Sequence, residues 1–371
     1  MKVKLGELTK IKTGKLDANA SSPDGEYPFF TCSKEPLKIS SYSYDCECVL
    51  VAGNGDLNVK YYNGKFDAYQ RTYIIEDNSN GRLYLPYLYY FMNGYVEELR
   101  KLSIGGVIKY IKLRNLTDAL IELPDIETQK YIVSILSKIK ELIDSRYQEL
   151  KILENLIKAR FVEMFGDPAI NPMNWDKVNI SEVVGGKISN GFFAKRDDYA
   201  DDGNVSVMGV AYVVNRMYSQ WQDLPKTNGT DKDIEKFEVK YGDMLFCRSS
   251  LVAEGIGKAS IVPEGVPNNT LFECHVIRFP LDLNKCVPEY MQVLSTTEFF
   301  RQQIIAQSKT ATMTTIGQDG ILKADIILPP LEKQKEFYAF VKQVDKSKAT
   351  VQKALDETQL LFDSLMQQYF G

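Results

Sequence analysis

The chain of 371 residues contains one histidine, His275, and six scattered cysteines. A single histidine offers little for acid–base chemistry, and because it lies in a strand-like segment, a structural role or a surface contact is favoured over a lone general base. Cys46-Glu47-Cys48 is a lone C-x-C, with no second ligand pair at zinc spacing. We therefore expect reduced thiols, a cytoplasmic location and no metal site.

Long apolar runs and a basic excess are lacking as well. No run of about 18 apolar residues is present to span a membrane, and the N-terminus lacks the apolar stretch of a signal peptide. The 45 basic and 49 acidic residues give a formal charge of −4, which argues against a general nucleic-acid binder. Any binding of nucleic acid would therefore have to depend on local patches and architecture.

The motifs of common DNA enzymes are missing too. No G-x-x-x-x-G-K-[ST] phosphate loop occurs. The segment 171–175 only superficially matches the Asn/Asp-Pro-Pro-aromatic element of adenine methyltransferases, because the second proline is absent. Pro124-Asp125 with Glu127 and Lys130 is an equally poor match for a PD…ExK nuclease. We expect no catalytic site, and a methyl-transfer assay would test the rival reading of a standalone enzyme.

What the chain does have is an internal repeat. Residues 123–130 read Leu-Pro-Asp-Ile-Glu-Thr-Gln-Lys, and residues 328–335 read Leu-Pro-Pro-Leu-Glu-Lys-Gln-Lys at an offset of 205. Residues 3–8 resemble residues 178–183 at an offset of 175, so the second copy has about 30 more residues before its motif. A shared scaffold with a variable middle is expected of two copies that bind different targets.

A long helix follows each motif. Apolar residues recur at alternating steps of four and three, and this 3.5-residue period is typical of a coiled coil. The two seams are Ile132, Ile135, Ile139, Leu142, Arg146, Leu150, Leu153, Ile157, Phe161 and Met164, and Phe337, Val341, Val344, Lys348, Val351, Leu355, Thr358, Phe362, Leu365 and Tyr369. Each helix would be roughly 60 Å long. An exposed seam is unfavourable, so we expect the helices to pair, antiparallel if a pseudo-twofold axis relates the copies.

The rest of each copy has α+β character. Strand-like runs occur at 48–51, 72–75, 244–247 and 274–279, with short helices near 85–99 and 288–305 and turn signals such as Asn63-Gly64. The expected fold is therefore α+β, with two α/β domains alternating with two long helices in a pseudo-twofold repeat. The expected segments are a domain at 1–122, a helix at 123–166, a connector at 167–177, a domain at 178–327 and a helix at 328–371.

Three features together resemble the specificity subunits of type I restriction-modification systems. They are the L-P-x-x-E-x-Q motifs at Leu123 and Leu328, each opening a long helix, and Phe165-Gly166-Asp167-Pro168 between the copies. The resemblance covers essentially the whole chain. It implies two target-recognition domains, each contacting one half of a split, asymmetric DNA sequence, with the helices as a spacer between them.

The resemblance also implies partners. Two modification (methyltransferase) subunits would dock on the helices, and restriction (translocase-nuclease) subunits would join them. S-adenosylmethionine, ATP and magnesium would bind to those partners and not to this chain. The alternatives are a recognition subunit of a related phage-defence methylation system, or a coiled-coil scaffold that binds protein.

Residue chemistry suggests which side chains contact DNA. Lysines suit phosphates, whereas Asn, Gln and Arg can hydrogen-bond base edges. The candidates are Asn54, Lys60, Lys65, Gln70, Arg71, Lys101 and Lys109 in the first domain, and Lys195, Arg196, Arg216, Arg248, Ser249, Lys258, Lys309, Thr310 and Thr312 in the second. Arg248 is the strongest candidate for base reading in its domain. Each candidate could equally be a solvated turn residue.

The two domains differ in charge. Residues 1–122 have 16 basic and 15 acidic residues, a net charge of +1, and residues 171–327 have 16 and 20, a net charge of −4. Neither domain forms an electrostatic clamp around DNA. We therefore expect weak DNA binding by the chain alone, with the modification subunits enclosing most of the duplex.

Overall fold

The computed structural model describes residues 2–371. Contacts between residues divide the chain into two compact units. Unit 1 runs to Gln148 and also includes Val351–Gly371, and unit 2 is Glu149–Thr350. Each unit mixes helices and strands, as expected at this level of description. No helix within residues 2–371 is both long and apolar enough to cross a membrane.

Unit 1 is built on a six-stranded sheet. The strands of the unit are β1 (Lys2–Lys4), β2 (Thr9–Thr13), β3 (Tyr27–Phe30), β4 (Leu37–Ile39), β5 (Tyr44–Ala52), β6 (Val59–Ala68), β7 (Thr72–Asp77) and β8 (Leu120–Glu122). The order in the sheet is β2-β7-β5-β6-β3-β4, and only the β3–β6 pair is parallel. Strands β1 and β8 form a separate antiparallel pair, with Val3 opposite Ile121.

Both faces of this sheet are buried. Successive side chains of β5 point to opposite faces, and side chains on each face lie in the core. Val49 and Val51 pack on one face, with helix α2 (Leu85–Leu102), and Cys48 and Leu50 pack on the other with Phe66. Two short helices, α1 (Leu5–Leu8) and α3 (Leu113–Thr117), complete the domain part of the unit. The strand-like runs at 48–51 and 72–75 and the helix near 85–99 are confirmed as β5, β7 and α2.

The turn expected at Asn63-Gly64 is wrong. Both residues lie inside β6, where Asn63 pairs with Glu47 and Gly64 with Cys46 of β5. Phe66, two residues further on, is fully buried, so continuing the strand both extends the hydrogen-bonded ladder and buries an aromatic ring. These gains outweigh the local turn preference of an Asn-Gly pair, and the chain reverses between β5 and β6 at residues 53–58 instead.

Unit 2 contains four small sheets. Its strands are β9 (Asp176–Asn179), β10 (Ser189–Asn190), β11 (Val205–Met208), β12 (Lys226–Thr227), β13 (Met244–Cys247), β14 (Ser249–Ser250), β15 (Ala259–Ile261), β16 (Thr270–Phe272), β17 (Val276–Phe279), β18 (Lys309–Thr310), β19 (Thr314–Thr315) and β20 (Asp325–Leu328). The sheet orders are β10-β17-β13-β15, β12-β11-β16, β14-β19-β18 and β20-β9. Strands β13 and β17 confirm the runs at 244–247 and 274–279.

The helices of the chain after α3 are α4 (Ile126–Phe165), α5 (Asp231–Phe237), α6 (Pro288–Thr296), α7 (Glu298–Ala306), α8 (Gln318–Ile321) and α9 (Leu331–Phe370). The single helix expected near 288–305 is thus two helices, separated at Thr297. The Thr297 hydroxyl accepts a hydrogen bond from the backbone N–H of Phe300 and so caps α7. Helices α4 and α9 are 40 residues each, and each contributes residues to both units.

The expected seam of α9 is buried or half-buried at all ten positions. The expected seam of α4 is buried or half-buried at every position except one. Leu142 is 53% exposed, whereas its neighbour Ile143 is 2% exposed and packs inside. After Ile139 the buried face therefore advances by four residues instead of three, because a helix of 3.6 residues per turn drifts away from a strict 3.5-residue seam.

Candidate nucleic-acid interface

The two L-P-x-x-E-x-Q glutamines are fully buried and make matching hydrogen bonds. In unit 1, Gln129 Oε1 accepts from the backbone N–H of Tyr84 at 2.8 Å, and Nε2 donates to the carbonyls of Arg82 and Pro124 at 2.7 and 2.8 Å. Tyr84 is the N-cap residue of helix α2, directly before its first residue. The start of α4 is thereby fixed to the start of α2.

In unit 2, Gln334 Oε1 accepts from the backbone N–H of Val287 at 2.9 Å. Its Nε2 donates to the carbonyls of Lys285 and Pro329 at 3.3 and 2.8 Å. Val287 is the N-cap residue of α6, directly before its first residue. The glutamine of each motif therefore has a structural role, because its side chain is hydrogen-bonded to backbone groups only.

Asp125, which could suggest a nuclease, is a helix cap. Its carboxylate accepts from the backbone N–H and the hydroxyl of Thr128 at 2.9 and 2.8 Å. The backbone hydrogen bond lowers the pKa of this carboxyl below its usual range. In the second copy Pro330 stands at the same place, where a missing N–H costs little. The difference between the motifs is thus between two ways of starting a helix.

A corner of unit 1 brings together two candidate segments, residues 53–55 and residues 104–111. Asn54 and Ile104 both form bridges with Tyr110, and the Ile111 N–H donates to the Gly53 carbonyl at 2.9 Å. Lys109 lies on this first corner and is exposed. Gly105 has a φ of +120°, and a Cβ there would lie 2.5 Å from the Ile108 carbonyl oxygen, so the bend requires glycine.

Unit 2 has a corner of the same construction, residues 248–250 and 309–316. Strand β19 pairs with both β14 and β18, with Ser249 and Lys309 opposite Thr315. The Ile316 N–H donates to the Arg248 carbonyl at 3.0 Å, just as Ile111 does to Gly53 in unit 1. This second corner brings Arg248, Ser249, Lys309 and Thr310 together from two distant segments.

Side chains of the second corner differ in exposure and in their hydrogen bonds. Lys309, Thr310 and Thr312 are exposed, and the Thr310 hydroxyl lies 3.0 Å from that of Thr314. Arg248 is half-buried and donates to the Cys274 carbonyl at 3.0 Å. Ser249 is 9% exposed, and its hydroxyl lies 3.0 Å from Nδ1 of the exposed His275. His275 is thus the outward-facing group of this pair.

The other candidates of unit 1 lie on or near the six-stranded sheet. Lys60 is half-buried, burial lowers its pKa, and its ammonium donates to the Ser33 carbonyl at 2.7 Å. Lys65 lies 4.7 Å from the ring centre of Tyr42. The remaining three are exposed: Gln70 donates to Asp17 at 3.1 Å, Lys101 forms an ion pair with Glu98 at 3.3 Å, and Arg71 has no side-chain hydrogen bond to residues 2–371.

The other candidates of unit 2 fall in two places. Lys195 and Arg196 are exposed at the start of a short 3₁₀ helix. Arg216 and Lys258 are half-buried and line a cavity of about 390 Å³ together with three basic residues that the sequence analysis did not select. These two therefore do not join the second corner.

The profile of the family described as "Type I restriction modification DNA specificity domain" matches residues 1–155 and 172–358. The chain belongs to this family. The match covers both copies of the repeat motif and most of both long helices, and it confirms the resemblance drawn from the sequence.

Individual proteins and solved structures are also similar to this chain. The type I restriction enzyme EcoDI specificity subunit of Escherichia coli is 39% identical over 156 residues, which are 42% of this chain and about a third, 34%, of that subunit. The MjaVIII specificity subunit of Methanocaldococcus jannaschii is 21% identical over 383 residues, 95% of this chain and 89% of that subunit. The fold of the S subunit from M. genitalium matches with a TM-score of 0.60 at 13% identity, over 100% of this chain and 96% of that one.

Exposed apolar residues beside both corners were missed by the sequence analysis. Val107 and Ile108 lie on the tip of the first corner, and Leu251 and Val252 follow the second. Adjacent exposed apolar side chains can form part of a surface that contacts a partner. Extending the 205-residue offset back from Ile111 would have aligned residues 105–109 with residues 310–314.

Cys46 and Cys48 lie on β5 and are half-buried and buried. Burial raises the pKa of both thiols, so they stay protonated. Within residues 2–371, no group of three or more His, Cys, Asp or Glu side chains is arranged to hold a metal ion.

Proposed function

We propose that this chain recognises a split, asymmetric DNA sequence as the specificity subunit of a type I restriction-modification complex, and directs partner methyltransferase and restriction subunits to it. The observation that carries the proposal is that each unit has one corner. The two corners are formed by the same backbone pairing but carry different side chains. Family membership supplies the context, and the corners supply a candidate surface for each half of the target.

The chemistry of the corners suits DNA. Glycines let the backbone approach a phosphate closely, exposed lysines neutralise phosphate charge, and amide or hydroxyl groups hydrogen-bond base edges. The first corner offers Asn54, Lys109 and Tyr110 beside an apolar tip, and the second offers Lys309, Thr310 and His275. Apolar residues next to cations are also the side chains with which proteins wedge base steps apart.

We further propose that α4 and α9 are an antiparallel spacer formed by an internal repeat. Within unit 2, Phe161 near the end of α4 packs against Phe337 near the start of α9, with ring centres 5.7 Å apart. Lys348, eleven residues later in α9, pairs with the earlier Glu154 of α4 at 3.4 Å. Contacts that move forward along one helix and backward along the other support an antiparallel arrangement.

Matching features of the two units support the repeat. Strands β1 and β8 pair through Val3 and Ile121, and β9 and β20 pair through Val178 and Ile326. These positions differ by 175 and 205 residues, which are the two offsets in the sequence. On this basis the domains remain proposed at 1–122 and 178–327, with helices at 123–166 and 328–371 joined by a connector at 167–177.

The proposal assigns no catalytic step to this chain. S-adenosylmethionine, ATP and magnesium would bind to the two modification subunits and the restriction subunits. The modest and opposite charges of the two domains also support weak DNA binding by the chain alone. A DNA shift assay with and without the modification subunit tests this, since tight, specific binding by the isolated chain at moderate salt contradicts it and DNA binding by neither would favour a protein-binding scaffold.

A domain exchange tests two-part recognition. Residues 178–327 are replaced by the corresponding domain of another specificity subunit, and the methylated sequence is read from genomic DNA by single-molecule sequencing. We expect one half of the target to change and the other half to persist. A change in both halves would contradict independent recognition by two domains.

An insertion tests the spacer. One heptad added to each of α4 and α9, after residues 148 and 350, lengthens the pair by about 10 Å, or about three base pairs of DNA. The gap between half-sites should grow while both half-sequences persist. A heptad in only one helix is the control, since it puts the seams out of register and should abolish assembly.

An exchange of loops tests the corners themselves. Residues 105–109 and 310–314 both lie between paired residues, Ile104 with Tyr110 and Lys309 with Thr315. Placing 310–314 in unit 1 should alter the half-sequence read by unit 1 alone. A smaller change, Lys109→Gln, should weaken binding to all sequences and reduce the slope of log K against log salt by about one. Lys10→Gln, an exposed lysine on β2, is the matched control.

A further inference from the structure

A cavity of about 390 Å³ within unit 2 is unusually basic. Five of its lining residues are cationic and one is acidic: Lys158, Arg216, Lys258, Arg301 and Lys348, and Glu154. The lining thus has a net charge of +4, in a chain whose net charge is −4. The cations come from α4, α7, α9 and two loop or strand segments, so the fold concentrates them at one point.

Most of this charge is not neutralised by the protein. Lys348 pairs with Glu154 at 3.4 Å, but none of the other four cations forms an ion pair with a carboxylate of residues 2–371. Lys258 donates to the Asn215 amide oxygen at 2.7 Å. A neutral acceptor orients a cation without cancelling its charge, so the cavity keeps its attraction for an anion.

The two arginines are positioned in the same way. Arg216 donates to the Gln220 amide oxygen at 2.6 Å and to the Ala211 carbonyl at 3.1 Å. Arg301 donates from Nη2 to the Glu254 carbonyl at 3.1 Å, while its Nη1 is buried and has no hydrogen-bond partner within residues 2–371. Burial lowers the pKa of Arg301. A buried unpaired guanidinium nitrogen is costly, and an acceptor supplied by a ligand would remove that cost.

The remaining lining fits a ligand that is part polar and part apolar. Ser295 and Thr296 contribute hydroxyl groups, and Ile157, Met217 and Val293 contribute an apolar wall. The volume lies within the range of small-molecule sites, roughly 300–1,000 Å³. A cavity of this size accepts one phosphate group and a flat ring but not a DNA duplex.

We propose that this cavity binds a phosphate-bearing small molecule of mononucleotide size, with Arg301, Arg216, Lys258 and Lys158 contacting the phosphate. Arg216 and Lys258, selected from the sequence as DNA contacts, are thereby assigned to a separate site. The inference does not depend on the proposed DNA recognition, because its ligand and its surface are different.

Isothermal titration calorimetry on the purified full chain tests the site, with adenosine 5′-monophosphate as the probe and adenosine as the uncharged control. We expect saturable binding of one probe per chain, and binding of adenosine at least about tenfold weaker, because the phosphate makes charge-assisted hydrogen bonds. Lys258→Gln and Lys158→Gln should each weaken binding several-fold. Lys158 is exposed on α4, so its variant tests the site without risk to folding.

Lys187→Gln, an exposed lysine of the same unit outside the cavity, is the matched control and should bind like the unmodified chain. No saturable binding at millimolar probe, or equal losses in all three variants, would overturn the proposal. A competition arm separates the sources of phosphate. If non-target duplex DNA displaces the probe and Lys258→Gln and Lys158→Gln weaken DNA binding equally, the cavity takes DNA backbone phosphate and the small-molecule assignment is overturned.

Discussion

Replacing Gln129 or Gln334 by alanine should destabilise the unit that contains it, and by different amounts. Each glutamine is 0% exposed and makes three hydrogen bonds to backbone groups. Alanine removes all three and leaves one backbone N–H and two carbonyls without partners. The cost therefore depends on whether water can reach those groups.

The surroundings of the two glutamines differ in this respect. Around Gln129 all three hydrogen bonds are part-buried, and Arg82 is exposed, so water can replace part of what is lost. Around Gln334 the bonds to Val287 and Pro329 are buried. An orphaned buried group costs about 1–3 kcal/mol. We expect about 2–3 kcal/mol for Q129A and about 3–5 kcal/mol for Q334A, out of a total stability of about 5–15 kcal/mol.

Urea unfolding followed by two signals measures both changes. The chain has two tryptophans, Trp175 and Trp221, and both belong to unit 2. Tryptophan fluorescence therefore reports unit 2, and circular dichroism reports the whole chain. Q334A should shift the fluorescence transition, whereas Q129A should act mainly on circular dichroism if the units unfold separately. Gln148→Ala, at an exposed position of α4, is the control and should change stability by less than about 0.5 kcal/mol.

Two results would refute this reasoning. A loss below about 1 kcal/mol for Q334A would mean that the buried hydrogen bonds contribute little beyond what the apolar contacts already supply. A larger loss for Q129A than for Q334A would mean that burial of the orphaned groups does not set the cost.

Three further predictions concern single side chains. Burial raises the pKa of Asp243 to about 6, so its ionisation destabilises the fold by roughly 2 kcal/mol as the pH rises from about 4 to 6. Relative to the unmodified chain, Asp243→Asn should gain that much stability over this range in urea unfolding, and parallel pH profiles of the two proteins would contradict the prediction. Ile143→Ala should lower the free energy of unfolding by about 2–4 kcal/mol, and Leu142→Ala by less than about 1 kcal/mol, in the same assay. Equal losses would mean that the buried face follows the strict 3.5-residue seam through Leu142. Asp125→Ala should cost about 1 kcal/mol through loss of the α4 cap, while Asp125→Ser should recover most of it.

Local patterns account for what the sequence predicted correctly. The spacing of apolar residues places both long helices, and runs such as 48–51 and 244–247 have the composition of strands. The failures have a common cause, because tertiary packing overrides a local preference. Asn63-Gly64 is drawn into β6 by pairing with β5, and Ile143 replaces Leu142 where the helical face drifts.

The candidate site was predictable in its parts but not in its assembly. Asn54 and Lys109 are separated by more than fifty residues, and nothing local indicates that their segments meet beside Tyr110. The basic cavity is harder still to predict, because nothing in the sequence indicates that the helices carrying Lys158 and Arg301 lie close together. A long-range contact of this kind is a property of the folded topology and leaves no periodicity in the chain.

Under the proposed recognition, the two corners would let one scaffold serve an asymmetric target. The pairing that holds them is the same: Ile104 with Tyr110 in one, and Lys309 with Thr315 in the other. Between these residues the first corner has Gly-Gly-Val-Ile-Lys and the second has Thr-Ala-Thr-Met-Thr. Apolar side chains beside a lysine suit thymine methyl groups and phosphates, whereas threonine hydroxyls suit hydrogen bonds to base edges. Because the backbone is held by the same contacts, the proposed recognition implies that substitutions within these five positions would change what each domain reads without a change in the fold, and that the two half-sequences would be free to differ.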